Sequence, residues 1–132
     1  MSHPQPAALL ATLCLALAGS ALAGGKHDHG KDHAPAHGGV VALLENHLDL
    51  ELVARPDRLQ LYLRNEGRPF APDRASARIT LLTGSTRQLS ELKPAGDRLE
   101  ASGQYALASG SKAVVQLSLP GKPATTARLV LP

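Results

Sequence analysis

The chain has 132 residues and a formal net charge of +3 at pH 7 with its histidines neutral, which leaves room for one domain. Its 14 lysines and arginines are interleaved with 11 acidic residues, and its only aromatic side chains are two tyrosines and one phenylalanine. Nucleic-acid-binding proteins usually carry a clustered basic patch or stacking aromatic residues, so the composition argues against a nucleic-acid partner.

The first segment, residues 1–23, is typical of a secretory signal peptide. Residues 7–18 are an uninterrupted run of small and apolar side chains, shorter than the roughly 20 residues that a membrane-spanning helix needs. Residues 21–23 match an A-x-A cleavage site, although the residues before the apolar run lack the usual lysine or arginine. We therefore expect an exported protein with no membrane contact after cleavage. A retained membrane anchor is the alternative.

The single cysteine, Cys14, lies inside this apolar run. Once residues 1–23 are removed, the remaining chain has neither a thiol nor a disulfide. An exported domain of this length can fold on its hydrophobic core alone. Metal ligands would then be nitrogen and oxygen donors.

Residues 24–36 contain no large apolar side chain. Such a segment cannot bury enough apolar surface to offset its ordering entropy, so we expect a disordered, histidine-rich tail. An engineered affinity tag is a continuous run of histidines, whereas aspartate, glycine and lysine interrupt the histidines here.

Five of the six histidines fall within residues 26–47, and these are the candidate metal ligands: His27, His29, His33, His37 and His47. Imidazole is a common ligand of borderline divalent metals, and Asp28 and Asp32 add oxygen donors. Glycines and a proline among the histidines argue against a helix. We therefore expect several imidazoles to wrap one ion with modest affinity and poor selectivity; a solvated linker is the alternative.

A different cleavage position would create a different site. A cut after Gly24 would place His27 third from a free amine. That amine, two backbone nitrogens and the imidazole would then offer square-planar coordination to Cu(II) or Ni(II). The expected cut after Ala23 places His27 fourth, which prevents this arrangement.

Residues 37–132 have the pattern of short β-strands joined by turns. Turn signals recur every 8 to 12 residues, which is typical of an all-β, antiparallel, immunoglobulin-like β-sandwich of seven to eight strands. No amphipathic helix of three turns follows the signal segment. The predicted strands span residues 40–44, 47–53, 59–63, 77–82, 87–92, 98–102, 112–119 and 124–131.

The second and third predicted strands form a hairpin whose turn is a Pro-Asp pair. Its register places Asp49 opposite Arg64 and Glu51 opposite Tyr62, on a polar face that His47 shares. We interpret this face as exposed, with a cross-strand ion pair between Asp49 and Arg64. Direct or indirect metal ligation by the two carboxylates is the alternative.

His37-Gly38-Gly39 opens the predicted domain, and its glycines permit backbone shapes that would turn His37 back over the sheet edge. A plain loop is the alternative. If the first two strands form a tight hairpin, His37 and His47 lie on the order of 23 Å apart, too far for one ion. A different crossing of the first strand would let them share a site, and the sequence leaves this open.

Enzymatic activity is not expected. The chain has no Gly-x-Ser-x-Gly, no phosphate-binding loop and no His-Glu-x-x-His. A hydrolytic zinc site usually has three fixed ligands on rigid elements, whereas most candidate ligands here lie in the predicted tail.

Three segments together resemble a known family: His-Gly-Gly-Val-Val at 37–41, His-Leu-Asp-Leu-Glu-Leu-Val at 47–53 and Leu-Gln-Leu-Tyr-Leu at 59–63. They are similar to small exported proteins that accompany heavy-metal efflux systems of the resistance-nodulation-division type. A similar His-Gly-Gly-led β-domain occurs in some periplasmic adaptor proteins of those pumps. The resemblance implies a periplasmic role in resistance to copper, zinc, nickel, cobalt or cadmium, with His37 and His47 at the positions of the family's histidines.

The chain departs from those adaptors because it has no coiled-coil hairpin and no lipoyl-like segment. The resemblance therefore favours a soluble partner of an adaptor or pump. We expect a periplasmic protein that sequesters or delivers a divalent metal ion, with copper or zinc favoured. The alternative is a non-catalytic β-sandwich subunit that docks on an envelope complex and whose histidines are incidental.

Overall fold

The computed structural model describes residues 33–132, together with Ser2. The predicted signal peptide at 1–23, the candidate ligands His27 and His29, and most of the predicted tail lie outside the described residues. Within the described part of the chain, no helix is long and apolar enough to cross a membrane.

The described domain is all-β, as the sequence predicts, and its strands pair antiparallel throughout. The immunoglobulin-like arrangement stays a prediction. Nine strands are present: β1 (Val40–Leu43), β2 (Leu48–Arg55), β3 (Arg58–Asn65), β4 (Arg68–Phe70), β5 (Ser76–Thr83), β6 (Thr86–Ala95), β7 (Arg98–Ser102), β8 (Lys112–Ser118) and β9 (Thr125–Val130).

The strands follow one hydrogen-bonded path, β1-β2-β3-β7-β6-β5-β8-β9, and β4 pairs with β3. The ten-residue strand β6 joins the two halves of this path. Its residues 86–92 pair with β5, and its residues 93–95 pair with β7. β1 also packs against β9, so the sheet curls until its two ends meet.

The core lies on the concave side of the curled sheet, and in several strands buried side chains alternate with more exposed ones. The strand β2 is an exception, because its residues 49–53 are all buried. In β3, Leu59, Leu61 and Leu63 are buried, whereas Gln60 and Tyr62 between them are partly exposed. The same alternation buries Ile79 and Leu81 of β5 and Val115 and Leu117 of β8. Period-2 patterning therefore identified the core side of these strands correctly.

The predicted register of the second and third strands is confirmed. Asp49 lies opposite Arg64, and Glu51 lies opposite Tyr62. The expectation that this face is exposed is wrong, because Asp49 and Glu51 are 0 % and 1 % exposed. Residues 33–39 cover the two carboxylates.

Two further differences concern the ends of β1 and β2. Residues 33–36, which their composition assigns to the tail, contact the sheet: Ala36 donates to Glu51, and Ala34 accepts from Arg64. His47 does not begin the strand. It lies in the β1–β2 turn with a φ of 61°, and β2 starts at Leu48.

Candidate metal site

The segment 33–39 is held by one carboxylate of β2. The Glu51 side chain accepts hydrogen bonds from the backbone N–H groups of Ala36 at 3.0 Å, His37 at 2.9 Å and Gly39 at 2.8 Å. These bonds satisfy a buried charge that would otherwise be costly. Glu51 therefore fixes the path of the chain that leads into β1.

Each glycine of the His-Gly-Gly motif is needed for a different structural reason. Gly38 has a φ of 74°, in the left-handed region that side-chain-bearing residues rarely adopt. At Gly39, an added Cβ atom would overlap the backbone carbonyl oxygen of Leu52. The motif therefore turns the chain sharply and lets it pass close to β2.

Asp49 and Arg64 form a buried ion pair beneath the same segment. Arg64 Nη2 lies 2.8 Å from Asp49 Oδ2, and Arg64 Nη1 donates to the carbonyl oxygen of Ala34 at 2.7 Å. The contact at Nη2 is an ion pair only, because its geometry is not that of a hydrogen bond. Within the described residues, Asp49 Oδ1 has no hydrogen-bond partner, so this buried oxygen has capacity for a further donor or cation.

His33 lies beside this ion pair. Its Nδ1 atom is 3.4 Å from Asp49 Oδ2, and its side chain is about one third exposed. With the proton on Nδ1, His33 donates to the carboxylate and directs the Nε2 lone pair elsewhere. Metal-binding histidines in proteins are commonly oriented by a carboxylate in this way.

His47 shares a cleft with His33. Both residues line one open cleft of about 510 Å³, together with Leu43, Leu44, Asn46 and Leu48. Asn46 and His47 have φ values of 60° and 61°, a backbone strain that costs on the order of 1 kcal/mol per residue. The His47 carbonyl oxygen accepts a 2.9 Å hydrogen bond from the Glu66 N–H, which holds this turn. Two histidines and one asparagine therefore line the cleft.

His37 has different surroundings. Its ring stacks on Tyr62, with 3.6 Å between ring centroids and 14° between planes. The guanidinium carbon of Arg98 lies 6.0 Å from the centroid of the Tyr62 ring. The structure therefore brings His33 and His47 together and places His37 with Tyr62.

Within residues 33–132, no group of three or more histidine, cysteine, aspartate or glutamate side chains is close enough to hold a metal ion. The described cleft supplies two imidazoles, fewer than the four ligands of a closed zinc site. Further ligands would have to come from residues outside the described range or from solvent.

Sequence reasoning predicted the ion pair between Asp49 and Arg64 correctly. It missed the contacts that Glu51, Arg64 and Tyr62 make with residues 33–39. Each is one half of a contact between the strands and residues 33–39, and that segment has no strand or helix pattern to locate it. The predicted register did place Glu51 beside Tyr62, and the adjacent glycines indicated a close backbone approach. Those two signals together pointed to this region of the sheet.

Comparison of the chain with protein-family models, with curated proteins and with solved structures gives no match. The resemblance to proteins of heavy-metal efflux systems therefore stays a prediction.

Proposed function

We propose that this protein is an exported, non-catalytic carrier of a divalent transition-metal ion and that the cleft between His33 and His47 holds the ion. The observation that carries this proposal is the Asp49 carboxylate, which faces His33 Nδ1 at 3.4 Å beside a cleft that His47 shares. The predicted signal peptide supports a periplasmic location. The ion is the protein's cargo, and Zn(II) and Cu(II) fit the nitrogen and oxygen donors best.

The electrostatics of the cleft support a cation. Asp49 is fully buried, and its Oδ2 atom lies 2.8 Å from Arg64 Nη2 and 3.4 Å from His33 Nδ1. Because Asp49 Oδ1 has no hydrogen-bond partner within residues 33–132, the carboxylate beside His33 keeps one oxygen without a compensating donor, which favours a cation in its vicinity. Asp49 acts here by orienting His33 and by its charge.

The histidines of the predicted tail would complete the coordination shell. His29 precedes His33 by four residues, so their Cα atoms are at most about 14 Å apart in a fully extended chain. His27 is two residues further away. A site made of two positioned imidazoles and two from a tail would bind and release metal readily, which suits sequestration or delivery to an adaptor or pump.

Isothermal titration of the mature chain with Zn(II) and Cu(II) tests this proposal. We expect His33→Ala and His47→Ala each to weaken binding by about tenfold or more, as expected for loss of a ligand. His37→Ala is the matched control, because that ring stacks on Tyr62, and we expect it to change affinity by less than about threefold. The proposal is wrong if no ion binds more tightly than about 0.1 mM, or if alanine at all five candidate histidines leaves binding unchanged.

Asp49→Asn tests the positioning role separately. We expect metal affinity to fall by about 10-fold to 100-fold. The ¹⁵N chemical shifts of the His33 ring should also change in the metal-free protein, because asparagine no longer selects the Nδ1–H form. A loss of affinity without any change at the His33 ring would argue against Asp49 as the orienting residue.

A soluble interaction subunit with incidental histidines is the competing function. It would bind its partner equally well with all five histidines replaced. Equal binding of a periplasmic adaptor by the native and histidine-free chains, together with absent metal binding, would favour it.

A further inference from the structure

The outer face of β9, β8, β5 and β6 combines exposed apolar side chains with cations. Along β5, Ile79 and Leu81 point into the core, and Leu82 points outward. Leu82, Leu89 and Val130 are 36 %, 59 % and 62 % exposed. Large apolar side chains at this exposure usually mark a surface that meets a partner when they occur together.

The strand register brings these residues together. Leu82 lies opposite Arg87 on β6 and opposite Lys112 on β8, and Lys112 lies opposite Val130 on β9. One row across the four strands therefore reads Arg87, Leu82, Lys112, Val130.

The neighbouring row repeats the pattern. Thr80 lies opposite Leu89 and Val114, and Val114 lies opposite Arg128. The row therefore reads Leu89, Thr80, Val114, Arg128. Each row spans about 14 Å across the strands, so the two rows form a patch in which cationic and apolar side chains are interspersed.

The patch has a net positive charge. Arg87, Lys112 and Arg128 form no ion pair within residues 33–132. The next row outward contains Arg78 and Glu91, which pair at 3.0 Å and cancel each other. The three cations are far apart in the sequence, which is why the interleaved basic residues gave no sign of a patch.

The combination of charge and apolar side chains selects the partner. A second copy of the same face would bring like charges together, which opposes self-association. Nucleic acid would leave the leucines and Val130 without a partner, since no aromatic side chain lies in either row. An anionic bilayer surface satisfies both features, because its phosphates attract lysine and arginine and its interface accepts short apolar side chains.

We propose that the outer face of β9-β8-β5-β6 binds peripherally to membranes that contain anionic lipids. This departs from the expectation that the cleaved protein has no membrane contact. The face lies on strands other than those that form the His33–His47 cleft, so both surfaces can act at once. A carrier held at the membrane would be close to any membrane-embedded acceptor of its ion.

Vesicle co-sedimentation of the mature chain tests the proposal, with a chelator present so that metal binding plays no part. Vesicles of phosphatidylcholine alone are compared with vesicles that contain about 30 % phosphatidylglycerol. We expect binding to the anionic vesicles only, and weaker binding at about 300 mM salt than at about 50 mM salt.

Three variants separate the contributions of the patch cations, the patch apolar side chains and the overall charge to vesicle binding. Arg87→Gln/Lys112→Gln/Arg128→Gln should lower the partition coefficient by about 100-fold, since each of the three cations near an anionic surface contributes about fivefold. Leu82→Thr/Leu89→Thr/Val130→Thr should lower it by at least about threefold. Arg55→Gln/Arg68→Gln/Arg74→Gln removes the same charge from exposed positions elsewhere and should lower it by less than about threefold. Thermal unfolding of each variant checks that it remains folded.

Absence of binding to anionic vesicles at low salt would overturn the proposal and leave an acidic protein surface as the partner of this face. An equal loss in the two charge variants would also overturn it, because net charge alone would then explain binding. Neither result bears on the metal titration.

Discussion

The Glu51 carboxylate accepts a 2.8 Å hydrogen bond from the backbone N–H of Gly39, so a buried side chain of β2 fixes the chain that enters β1. The same carboxylate also accepts from the N–H groups of His37 and Ala36. Three backbone donors around one charged acceptor form a small, preformed turn. The position of His33 above Asp49 depends on this turn.

Glu51→Gln should therefore destabilise the domain. The amide replaces one acceptor oxygen with an N–H group that faces backbone donors, and at least one buried N–H loses its partner. We expect the free energy of unfolding to fall by about 2 kcal/mol or more, measured by urea denaturation at neutral pH. Amide exchange at Gly39 should become faster in the same variant.

Glu91→Gln is the matched control, because Glu91 is 64 % exposed and pairs with Arg78 at the surface. Loss of an exposed ion pair costs less than about 1 kcal/mol. Equal destabilisation by the two substitutions would mean that the bonds from residues 36–39 to Glu51 contribute little.

Gly39→Ala should lower the free energy of unfolding more than a substitution of Gly38 does. A Cβ atom at Gly39 would overlap the carbonyl oxygen of Leu52, so β1 must move away from β2. We expect a loss of about 2 kcal/mol or more in the free energy of unfolding.

Gly38 provides the comparison. It has a φ of 74°, and a Cβ atom added there would meet open space, with no atom within 4 Å. Gly38→Asn should therefore cost less than about 1 kcal/mol, because asparagine tolerates the left-handed region. A larger loss in Gly38→Asn than in Gly39→Ala would show that backbone conformation matters more here than the close approach to β2.

The β2–β3 hairpin could be predicted from sequence because two independent signals agreed. The turn residues and the period-2 leucines both required Asp49 opposite Arg64. What covers that face could not be predicted. Residues 33–36 have no large apolar side chain. Apart from the His33 side chain on Asp49, their hydrogen bonds to the sheet are made by backbone groups with Glu51 and Arg64, which leave no pattern in the sequence.

The order of the later strands within the sheet also could not be predicted from a sequence pattern. Period-2 alternation shows which side of a strand is buried but not which strand lies beside it, as the pairing of β3 with β7 illustrates. For the candidate site, spacing along the chain could not show that His33 lies with His47 and that His37 stacks on Tyr62. Both placements accompany backbone turns with left-handed φ values at Gly38 and His47, which the spacing of the histidines does not reveal.

The buried pair of Asp49 and Arg64 should show strong coupling. Asp49→Ala leaves the Arg64 guanidinium buried without its counter-ion, at a cost of about 3–5 kcal/mol. Asp49→Leu combined with Arg64→Met removes both charges and should recover most of that loss, because an apolar pair of similar volume needs no desolvation of charge.

Urea denaturation of the native chain, of the single variants Asp49→Leu and Arg64→Met and of the double variant gives the coupling energy. Asp97→Asn is the control, since Asp97 is 70 % exposed in its ion pair with Arg98, and it should change stability by less than about 1 kcal/mol. A double variant as unstable as Asp49→Ala would show that the fold requires the hydrogen bond from Arg64 to Ala34 and not charge neutralisation alone.

Acidification should remove the contribution that the ionised Glu100 side chain makes to the stability of the fold. The hydrogen bond from Gln60, at 2.9 Å, lowers the pKa of Glu100 below its ordinary value of 4.5; partial burial opposes this, and Arg98 and Arg58 add to the lowering. Because the pKa is lower in the folded state, the stabilisation is fully present above about pH 4.5 and is lost as the pH falls below that value through the folded pKa.

Gln60→Ala removes the main cause of the lowered Glu100 pKa and should reduce the free energy of unfolding by about 1 kcal/mol near neutral pH. Urea denaturation between about pH 7 and about pH 3 should show this difference shrinking on acidification, and a difference that stays constant would mean that Gln60 does not stabilise the ionised form of Glu100.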